Sequence, residues 1–353
     1  MKIAIIVGTR PEIIKMSPII REFMKRNVEF FILHSGQHYS YELNRVFFNQ
    51  LNLPEPKYNL QVGSGSHAEQ TGKMLIGIEK LLKVEKPDIV LVQGDTNTTL
   101  AGALAASKLH ICIGHVEAGL RSYDRRMPEE INRILTDHVS DYLFAPTERA
   151  KLNLLKEGLD SERIYVTGNT IVDAVQQNIE LAFKMRPKIN VKNYLLVTLH
   201  RQENVEKPEV LKNIMEGLTL VSQKLGIPIV FPIHPRTRNR LARYDVKINS
   251  NIIITEPLDY LTFLRLLSQA KLILTDSGGV QEEACILKVP CVTLRYNTER
   301  PETVDVGANV LAGTVPQMIL KKSLEMFNKA RNWENPFGDG KASKKIVDIL
   351  IGR

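Results

Sequence analysis

The chain has 353 residues, 43% of them hydrophobic, which is enough to build two domains with full cores and excludes a small binding module. The formal net charge is +8, but the aromatic content is only 6% and the basic residues are spread along the chain without a nucleic-acid motif, so we expect anionic small-molecule substrates and no nucleic-acid partner. No apolar run reaches membrane-spanning length and no signal-peptide pattern opens the chain, so we expect a cytoplasmic protein with no membrane partner.

The first half of the chain alternates short apolar runs with longer amphipathic patterns. The apolar runs are typical of buried strands and lie at 3–7, 28–34, 88–93, 111–116, 141–145 and 163–167. The amphipathic patterns between them predict helices that include 12–26, 67–83, 97–108 and 129–139. Because strands that alternate with helices pair in parallel, this half predicts one parallel sheet.

The second half of the chain repeats this alternation. Its strand patterns lie at 194–199, 228–233, 251–255, 271–275 and 291–295. We expect the junction within 168–193, where a strand ends at Gly168-Asn169 and a basic, proline-containing stretch follows a helix. The sequence therefore predicts an α/β protein of two parallel-sheet domains that face each other across a cleft. The domains are 1–168, joined by a returning C-terminal helix at 343–353, and 169–342.

The turn after the first strand carries two permanent cations. Pro11 sits in the first turn of the following helix, where its missing N–H costs nothing. Arg10 and Lys15 lie near the start of that helix, at the carboxyl end of the strand, where open α/β sheets bind ligands. A guanidinium fork and an ammonium suit a pyrophosphate, and the alternative is that both are solvated surface residues.

A second candidate anion site follows the strand at 271–275. Ser277 can cap the next helix, and Gly278 and Gly279 let backbone N–H groups approach a ligand closely. Glu282 and Glu283 come next, and a carboxylate beyond a phosphate-binding turn can accept hydrogen bonds from ribose hydroxyls. The pattern predicts a nucleotide diphosphate site, although an ordinary strand–turn–helix corner with surface glutamates has the same sequence features.

Acid–base groups follow several other strands. Asp95, Glu117 and His200 each follow a strand, and Glu129 and Glu130 open a helix after the polar loop 120–130. Carboxylates beside cations suit cleavage of a glycosidic bond to a diphosphate, which passes through an oxocarbenium-like state. Asp95 alone could equally be a helix N-cap. The chain has no HExxH, DxD or GxGxxG motif, and its three cysteines lack metal-ligand spacing, so we expect neither a metal nor a cofactor.

As a set, eight motifs in chain order resemble the non-hydrolysing UDP-N-acetylglucosamine 2-epimerases. They are GTRPE (8–12) with Lys15, QGDT (93–96), HVEAGLR (115–121), PEEINR (128–133), GNTIVDA (168–174), HRQEN (200–204), TDSGGVQEEA (275–284) and TERPE (298–302). The resemblance implies a GT-B fold with two Rossmann-like domains, no cofactor and a homodimer. It implies interconversion of UDP-GlcNAc and UDP-ManNAc for cell-surface polysaccharide synthesis.

The resemblance also implies roles for individual residues. It places Asp95, Glu117 and Glu129 at acid–base positions and His200 near the phosphates. The residues at substrate-binding positions are Arg10, Lys15, Phe263 (uracil), Ser277, Gly278, Gly279, Glu283 (phosphate and ribose) and Arg300 (near the diphosphate). The implied reaction releases UDP to leave 2-acetamidoglucal and then re-adds it, and which carboxylate serves which face of C2 stays open.

Three alternatives remain open at the level of sequence. A glycosyltransferase of the same fold would also bind a UDP-sugar, a binding protein would hold UDP without turnover, and a 2-epimerase could act on a modified sugar such as a diacetamido uronic acid. Many bacterial members bind UDP-GlcNAc at a second, regulatory site near the motif seen here as Gly36-Gln37-His38. Residues 39–41 and 63–70 include Gln70 but no arginine and so do not supply both the further glutamine and the arginine expected there, and the sequence does not predict allosteric activation.

Overall fold

The computed structural model describes residues 1–36, 47–185, 189 and 191–352; Gln37 and His38 of the regulatory motif lie outside them. The chain forms two compact units. The first comprises Met1–Gln177 and the C-terminal stretch from Phe337, and the second comprises Asn178–Pro336. We describe each unit by itself.

The first unit contains a seven-stranded parallel sheet with the order β3-β2-β1-β4-β5-β6-β7. Its elements are β1 (Lys2–Val7), α1 (Arg10–Lys25), β2 (Glu29–His34), β3 (Tyr58–Asn59), α2 (His67–Glu85), β4 (Ile89–Gln93), α3 (Asn97–Lys108), β5 (Cys112–Val116), α4 (Pro128–Val139), β6 (Tyr142–Ala145), α5 (Glu148–Lys156) and β7 (Ile164–Val166). The strand order reverses between β1 and β4, and ligands of open parallel sheets bind at such a reversal.

The second unit contains a six-stranded parallel sheet with the order β10-β9-β8-β11-β12-β13. The elements after β7 are α6 (Thr170–Lys184), β8 (Leu195–Thr198), α7 (Gln202–Val205), α8 (Pro208–Leu225), β9 (Ile229–Pro232), α9 (Pro235–Arg243), β10 (Ile252–Thr255), α10 (Tyr260–Gln269), β11 (Leu272–Thr275), α11 (Gly278–Ile286), β12 (Cys291–Thr293), α12 (Pro301–Asp305), β13 (Asn309–Leu311), α13 (Pro316–Phe327) and α14 (Ala342–Ile351). Here the order reverses between β8 and β11. The expectation of two Rossmann-like parallel-sheet domains is confirmed.

The central strands are apolar on both faces because helices cover both sides of each sheet. In the first unit Ile6 and Val92 pack beneath Met74 and Ile78 of α2, all within one buried cluster. In the second unit Leu274 packs in a corresponding cluster with residues of α8. These cores leave the carboxyl ends of the strands as the edge where polar side chains collect.

The structure divides the chain later than the sequence predicts. The expected boundary is at 168, whereas the division falls inside α6, after Gln177. The first half of α6 stays with the first unit because Asp173 binds the start of α14. Its carboxylate accepts hydrogen bonds from the backbone N–H groups of Ser343 (2.9 Å) and Ala342 (3.2 Å). The glycine after β7 marks the end of a strand, but the division between the two units lies further along the chain.

Two short edge strands, β3 and β13, were not predicted from the sequence. They contain two and three residues, which are too few for an alternation of apolar and polar residues to be recognised. Within the described ranges, no helix is long and apolar enough to span a membrane.

Candidate functional site

In the first unit, predicted site residues follow the three strands at the reversal point. Arg10 follows β1, Asp95 follows β4 and Glu117 follows β5. Since these strands are neighbours in a parallel sheet, their carboxyl ends bring the three residues to one edge. The guanidinium of Arg10 lies 5.8 Å from the ring centroid of Phe47, an aromatic face that orients the cation.

Glu117 is buried and held by two donors. Both of its carboxylate oxygens accept hydrogen bonds from Nζ of Lys15, at 2.8 Å and 2.6 Å. The side-chain amide of Gln93 also donates to Oε2. The backbone of Glu117 has φ of +74°, a left-handed conformation that is strained for a residue with a side chain. The ammonium and the amide therefore fix the position of the Glu117 carboxylate.

The structure thus places Lys15 in contact with Glu117, a carboxylate predicted to act in acid–base chemistry. Lys15 lies in the second turn of α1 and is itself only 6% exposed. Its assignment to phosphate binding stays a prediction. The contact with Glu117 could not be read from the sequence, because the two residues are 102 positions apart.

Asp95 is paired with the guanidinium of Arg133, a buried residue of α4. The same guanidinium donates through Nη1 to Glu130 at 2.8 Å. Glu130 in turn accepts the backbone N–H groups of Ser122 at 2.9 Å and of Tyr123 at 2.8 Å, so it fastens the polar loop to α4. The contacts of Glu130 therefore hold the loop in place, although the sequence analysis groups Glu130 with the acid–base residues.

Glu129 differs from its neighbour in both exposure and partners. It lies half-buried at the start of α4, and within the described chain no side chain donates a hydrogen bond or an ion pair to it. Its carboxylate is therefore available to a ligand, as an acid–base role requires.

Glu12 is a further organising residue whose role was not predicted. Its carboxylate accepts the N–H groups of Gly8 (2.8 Å) and Thr9 (2.6 Å), and the hydroxyls of Thr96 (2.6 Å) and Thr99 (3.1 Å). Burial raises the pKa of Glu12, and these hydrogen bonds oppose that rise. Glu12 fastens the turn after β1 to the turn after β4, which carries Asp95.

In the second unit, Asp276 organises the corresponding strand ends. It is fully buried after β11, and its carboxylate accepts the backbone N–H groups of His200 (3.0 Å) and Arg201 (2.9 Å). Asn204 donates a third hydrogen bond, at 3.2 Å. The imidazole of His200 remains 42% exposed. The turn after β8 is therefore fixed beside the turn that carries Ser277, with His200 accessible to a ligand.

The helix start at Gly278 lies against a buried ion pair. A side chain at Gly278 would place its Cβ 2.5 Å from Oε1 of Glu299, whereas one at Gly279 would meet nothing within 4 Å. Glu299 accepts hydrogen bonds from Arg295 (2.9 Å) and Arg201 (3.1 Å). Gly278 is therefore required by packing, while Gly279 leaves its backbone open to a ligand.

The remaining predicted residues of the second unit are placed as follows. Arg300 is buried, and its Nε lies 2.5 Å from Oε1 of the fully buried Glu282. Glu283 is buried in the first turns of α11. Phe263 is half-buried on α10, packed against a core cluster. Ser277 precedes α11 but its side chain forms no capping hydrogen bond.

Comparison with known proteins adds independent information. The model of the UDP-N-acetylglucosamine 2-epimerase family matches residues 21–351. The chain is 60% identical over 361 residues to the UDP-N-acetylglucosamine 2-epimerase of Methanocaldococcus jannaschii, with 99% of both chains covered. It is 43% identical over 357 residues to the UDP-2,3-diacetamido-2,3-dideoxy-D-glucuronate 2-epimerase of Pseudomonas aeruginosa, with 99% of both covered.

A solved structure is similar over the whole length. The crystal structure of the M. jannaschii UDP-GlcNAc 2-epimerase in complex with UDP-GlcNAc and UDP has a TM-score of 0.95 and 59% identity to this chain, and 100% of both chains is covered.

Proposed function

The chain belongs to the UDP-N-acetylglucosamine 2-epimerase family, and we propose that it interconverts UDP-GlcNAc and UDP-ManNAc. The observation that carries the proposal is the pairing of Asp95 with Arg133 and of Glu117 with Lys15. Each pair presents a carboxylate at the ligand-binding edge of the first sheet. Moving a proton to and from C2 needs such groups in a defined protonation state.

The chemistry requires elimination before inversion. The C2 hydrogen of GlcNAc has no neighbouring carbonyl to acidify it, so its loss must accompany cleavage of the bond between C1 and the UDP oxygen. The proton goes to an enzyme carboxylate, the C1–O electron pair leaves with UDP, and 2-acetamidoglucal remains. Re-addition of UDP at C1 with delivery of a proton to the opposite face of C2 gives the epimer.

Opposite faces of C2 require more than one acid–base group. Asp95, Glu117 and Glu129 are the three candidates, and their surroundings differ. The first two contact buried cations, while Glu129 has none in the described part of the chain. This difference supports different roles for the two paired carboxylates and for Glu129.

We assign nucleotide binding to the second unit. The N–H groups at the start of α11, at Gly278 and Gly279, suit the diphosphate, and Glu283 suits the ribose hydroxyls. His200 and Arg300 supply donors for the departing phosphate, and Phe263 supplies an aromatic face for uracil. In the first unit, Arg10 is the proposed cationic contact, whereas Lys15, which the sequence assigns to the phosphate, contacts Glu117.

Incubation with UDP-GlcNAc in D₂O, followed by NMR, tests the proposal. We expect UDP-ManNAc with deuterium at C2, together with slow release of UDP and 2-acetamidoglucal. Epimerised product that retains protium at C2 and shows no trace of released UDP would contradict the elimination mechanism. UDP-GlcNAc that stays intact without an acceptor would instead favour a glycosyltransferase.

A modified UDP-sugar is the second candidate substrate. It is favoured by the 43% identity to the P. aeruginosa UDP-2,3-diacetamido-2,3-dideoxy-D-glucuronate 2-epimerase. A competition assay with both UDP-sugars decides between them. We expect the higher kcat/KM for UDP-GlcNAc, in line with the 60% identity to the M. jannaschii enzyme.

The resemblance also supports a homodimer in the cytoplasm whose UDP-ManNAc serves cell-surface polysaccharide synthesis. Sedimentation equilibrium should give twice the 40.0 kDa chain mass. A monomer at assay concentration would reject the homodimer without affecting the activity.

A further inference from the structure

The motif HVEAGLR contains a histidine and an arginine that the proposed reaction does not use. His115 lies in β5 and is fully buried. Its Nδ1 is 2.7 Å from Oδ1 of Asp137, and its Nε2 is 2.8 Å from the carbonyl oxygen of Gly94. Gly94 is the residue immediately before Asp95.

The imidazole contacts the first of three charged side chains that are paired in sequence: Asp137, Arg121 and Glu157. Oδ2 of Asp137 lies 2.7 Å from Nη1 of Arg121, and Arg121 donates through Nε and Nη2 to Glu157 at 2.7 Å and 2.6 Å. Burial by itself raises the pKa of Asp137, but His115 and Arg121 together hold the pKa below its usual range. Asp137 therefore stays an acceptor, which fixes the rotation of the His115 ring.

The other ring nitrogen contacts the backbone just before Asp95. Nε2 faces a carbonyl, which can only accept, so Nε2 carries a proton and donates. Gly94 is bound to β5 from both sides, because its own N–H donates to the carbonyl of Val116 at 3.1 Å. Its φ of +76° creates the sharp turn that aims Asp95, and nothing else in the described chain holds its carbonyl.

We propose that His115 is a positioning residue that acts through the carbonyl of Gly94 to orient Asp95, with Asp137 fixing its ring. The inference rests on the proposed function for its kinetic readout. Displacement of an acid–base group by about 1 Å lowers a rate by up to about 10²-fold, whereas it leaves nucleotide binding by the other unit unaffected.

A matched pair of substitutions separates the bond to Gly94 from the bond to Asp137. In His115→Gln the amide nitrogen occupies the place of Nε2 and keeps the donor to Gly94. In His115→Asn the shorter side chain keeps a donor near the place of Nδ1 and loses Gly94. Both variants replace one buried imidazole with one neutral amide, so they change the charge alike and differ from each other by one methylene group.

We expect His115→Asn to lower kcat by about 10- to 100-fold, with KM and the affinity for UDP changed by less than about twofold. His115→Gln should stay within about fivefold of wild type. Asp137→Asn retains a side-chain oxygen that can accept from Nδ1 and should therefore resemble His115→Gln. The exposed His138→Gln on α4 is the neutral control. Equal losses in the Asn and Gln variants of His115, or no loss in either, would overturn the inference.

Crystal structures of both His115 variants give a readout that does not depend on activity. The Asp95 carboxylate should shift in His115→Asn and keep its position in His115→Gln; an unmoved carboxylate in His115→Asn overturns the inference. If His115→Asn does not fold, the other two variants carry the test. A loss of kcat of about 10- to 100-fold in both Asp137→Asn and His115→Gln would then overturn the inference. Wild-type protein that leaves UDP-GlcNAc unchanged while the carboxylate shifts as expected would reject the proposed function alone.

Discussion

At the scale of single residues, the two carboxylates that follow β4 and β5 are each paired with a buried cation. An isolated carboxylate cannot stay ionised in an apolar interior, but one paired with a buried cation can. Glu117 has Lys15, and Asp95 has Arg133. Each pair fixes its carboxylate beside a cation.

Asp95→Asn should abolish most of the epimerisation and leave UDP binding nearly unchanged, because it removes a proton-transfer group that is not assigned a phosphate contact. General acid–base groups typically contribute about 10²- to 10⁴-fold to a rate. A turnover assay and calorimetry with UDP measure the two effects. Asp160→Asn, at an exposed position of the same unit, is the control. Turnover within a few-fold of wild type would reject the assigned role.

Lys15→Met tests whether the ammonium serves Glu117 or a phosphate. Because Lys15 contacts both oxygens of Glu117, we expect a loss in kcat on the order of 10²-fold with little loss of UDP affinity. Arg10→Ala should show the converse, with weaker UDP binding measured by calorimetry. If the two variants lose UDP affinity alike, Lys15 is a phosphate ligand as the sequence indicates.

At the scale of elements, the helix starts carry groups that we propose bind the ligand. Buried carboxylates lock them in place: Glu12 binds the turn before α1, and Asp276 binds the turns before α7 and α11. Each joins two strand ends, so each helix N-terminus is fixed relative to its neighbour within one unit. Such fixed N–H groups cost little reorganisation when an anion binds.

The two glycines of α11 should respond differently to alanine. Gly278→Ala forces its Cβ against Glu299, so we expect a melting temperature several degrees lower, from about 1–3 kcal/mol of overpacking. Gly279→Ala meets no protein atom and should leave the melting temperature unchanged, while its methyl group weakens UDP binding. Differential scanning fluorimetry with and without UDP measures both. Unchanged UDP affinity in Gly279→Ala would mean that this backbone does not approach the ligand.

At the scale of the whole molecule, two units repeat one topology. Each sheet begins in its middle, extends to one side, and then reverses to the other. The reversal leaves polar turns at the carboxyl edge of each sheet while the apolar strands are buried between helices. The carboxylates proposed for acid–base chemistry lie in the first unit, and the glycine-rich turn lies in the second.

Acid should destabilise the first unit through His34. Burial lowers the pKa of His34 from 6.5 to about 4, so between these pH values the unfolded chain binds a proton that the folded chain does not. The His34 contribution is complete above about pH 6.5 and falls as the pH drops towards 4, by at most about 3 kcal/mol. Urea unfolding of wild type and His34→Gln across this range measures it. Parallel pH profiles of the two proteins would contradict the prediction.

The sequence by itself determined the class of fold and the family. Apolar runs and helical periodicity depend on neighbours within a few residues, so they predicted two parallel sheets, which the structure confirmed. The motifs predicted the family, which the comparisons confirmed. Candidate site residues next to strand ends could be predicted for the same reason, since a strand end is a local signal, and their roles stay predictions.

Only the tertiary structure decided which side chains meet. Lys15 and Glu117 are 102 positions apart, and Arg133 and Asp95 are 38 apart. The His115–Gly94 contact and the late boundary inside α6 are likewise set by packing between distant segments. Local periodicity carries no information about such pairs, because their distances depend on strand order and helix placement. The types of the candidate site residues can therefore be read from the sequence, whereas the partners and orientations of their side chains depend on the fold.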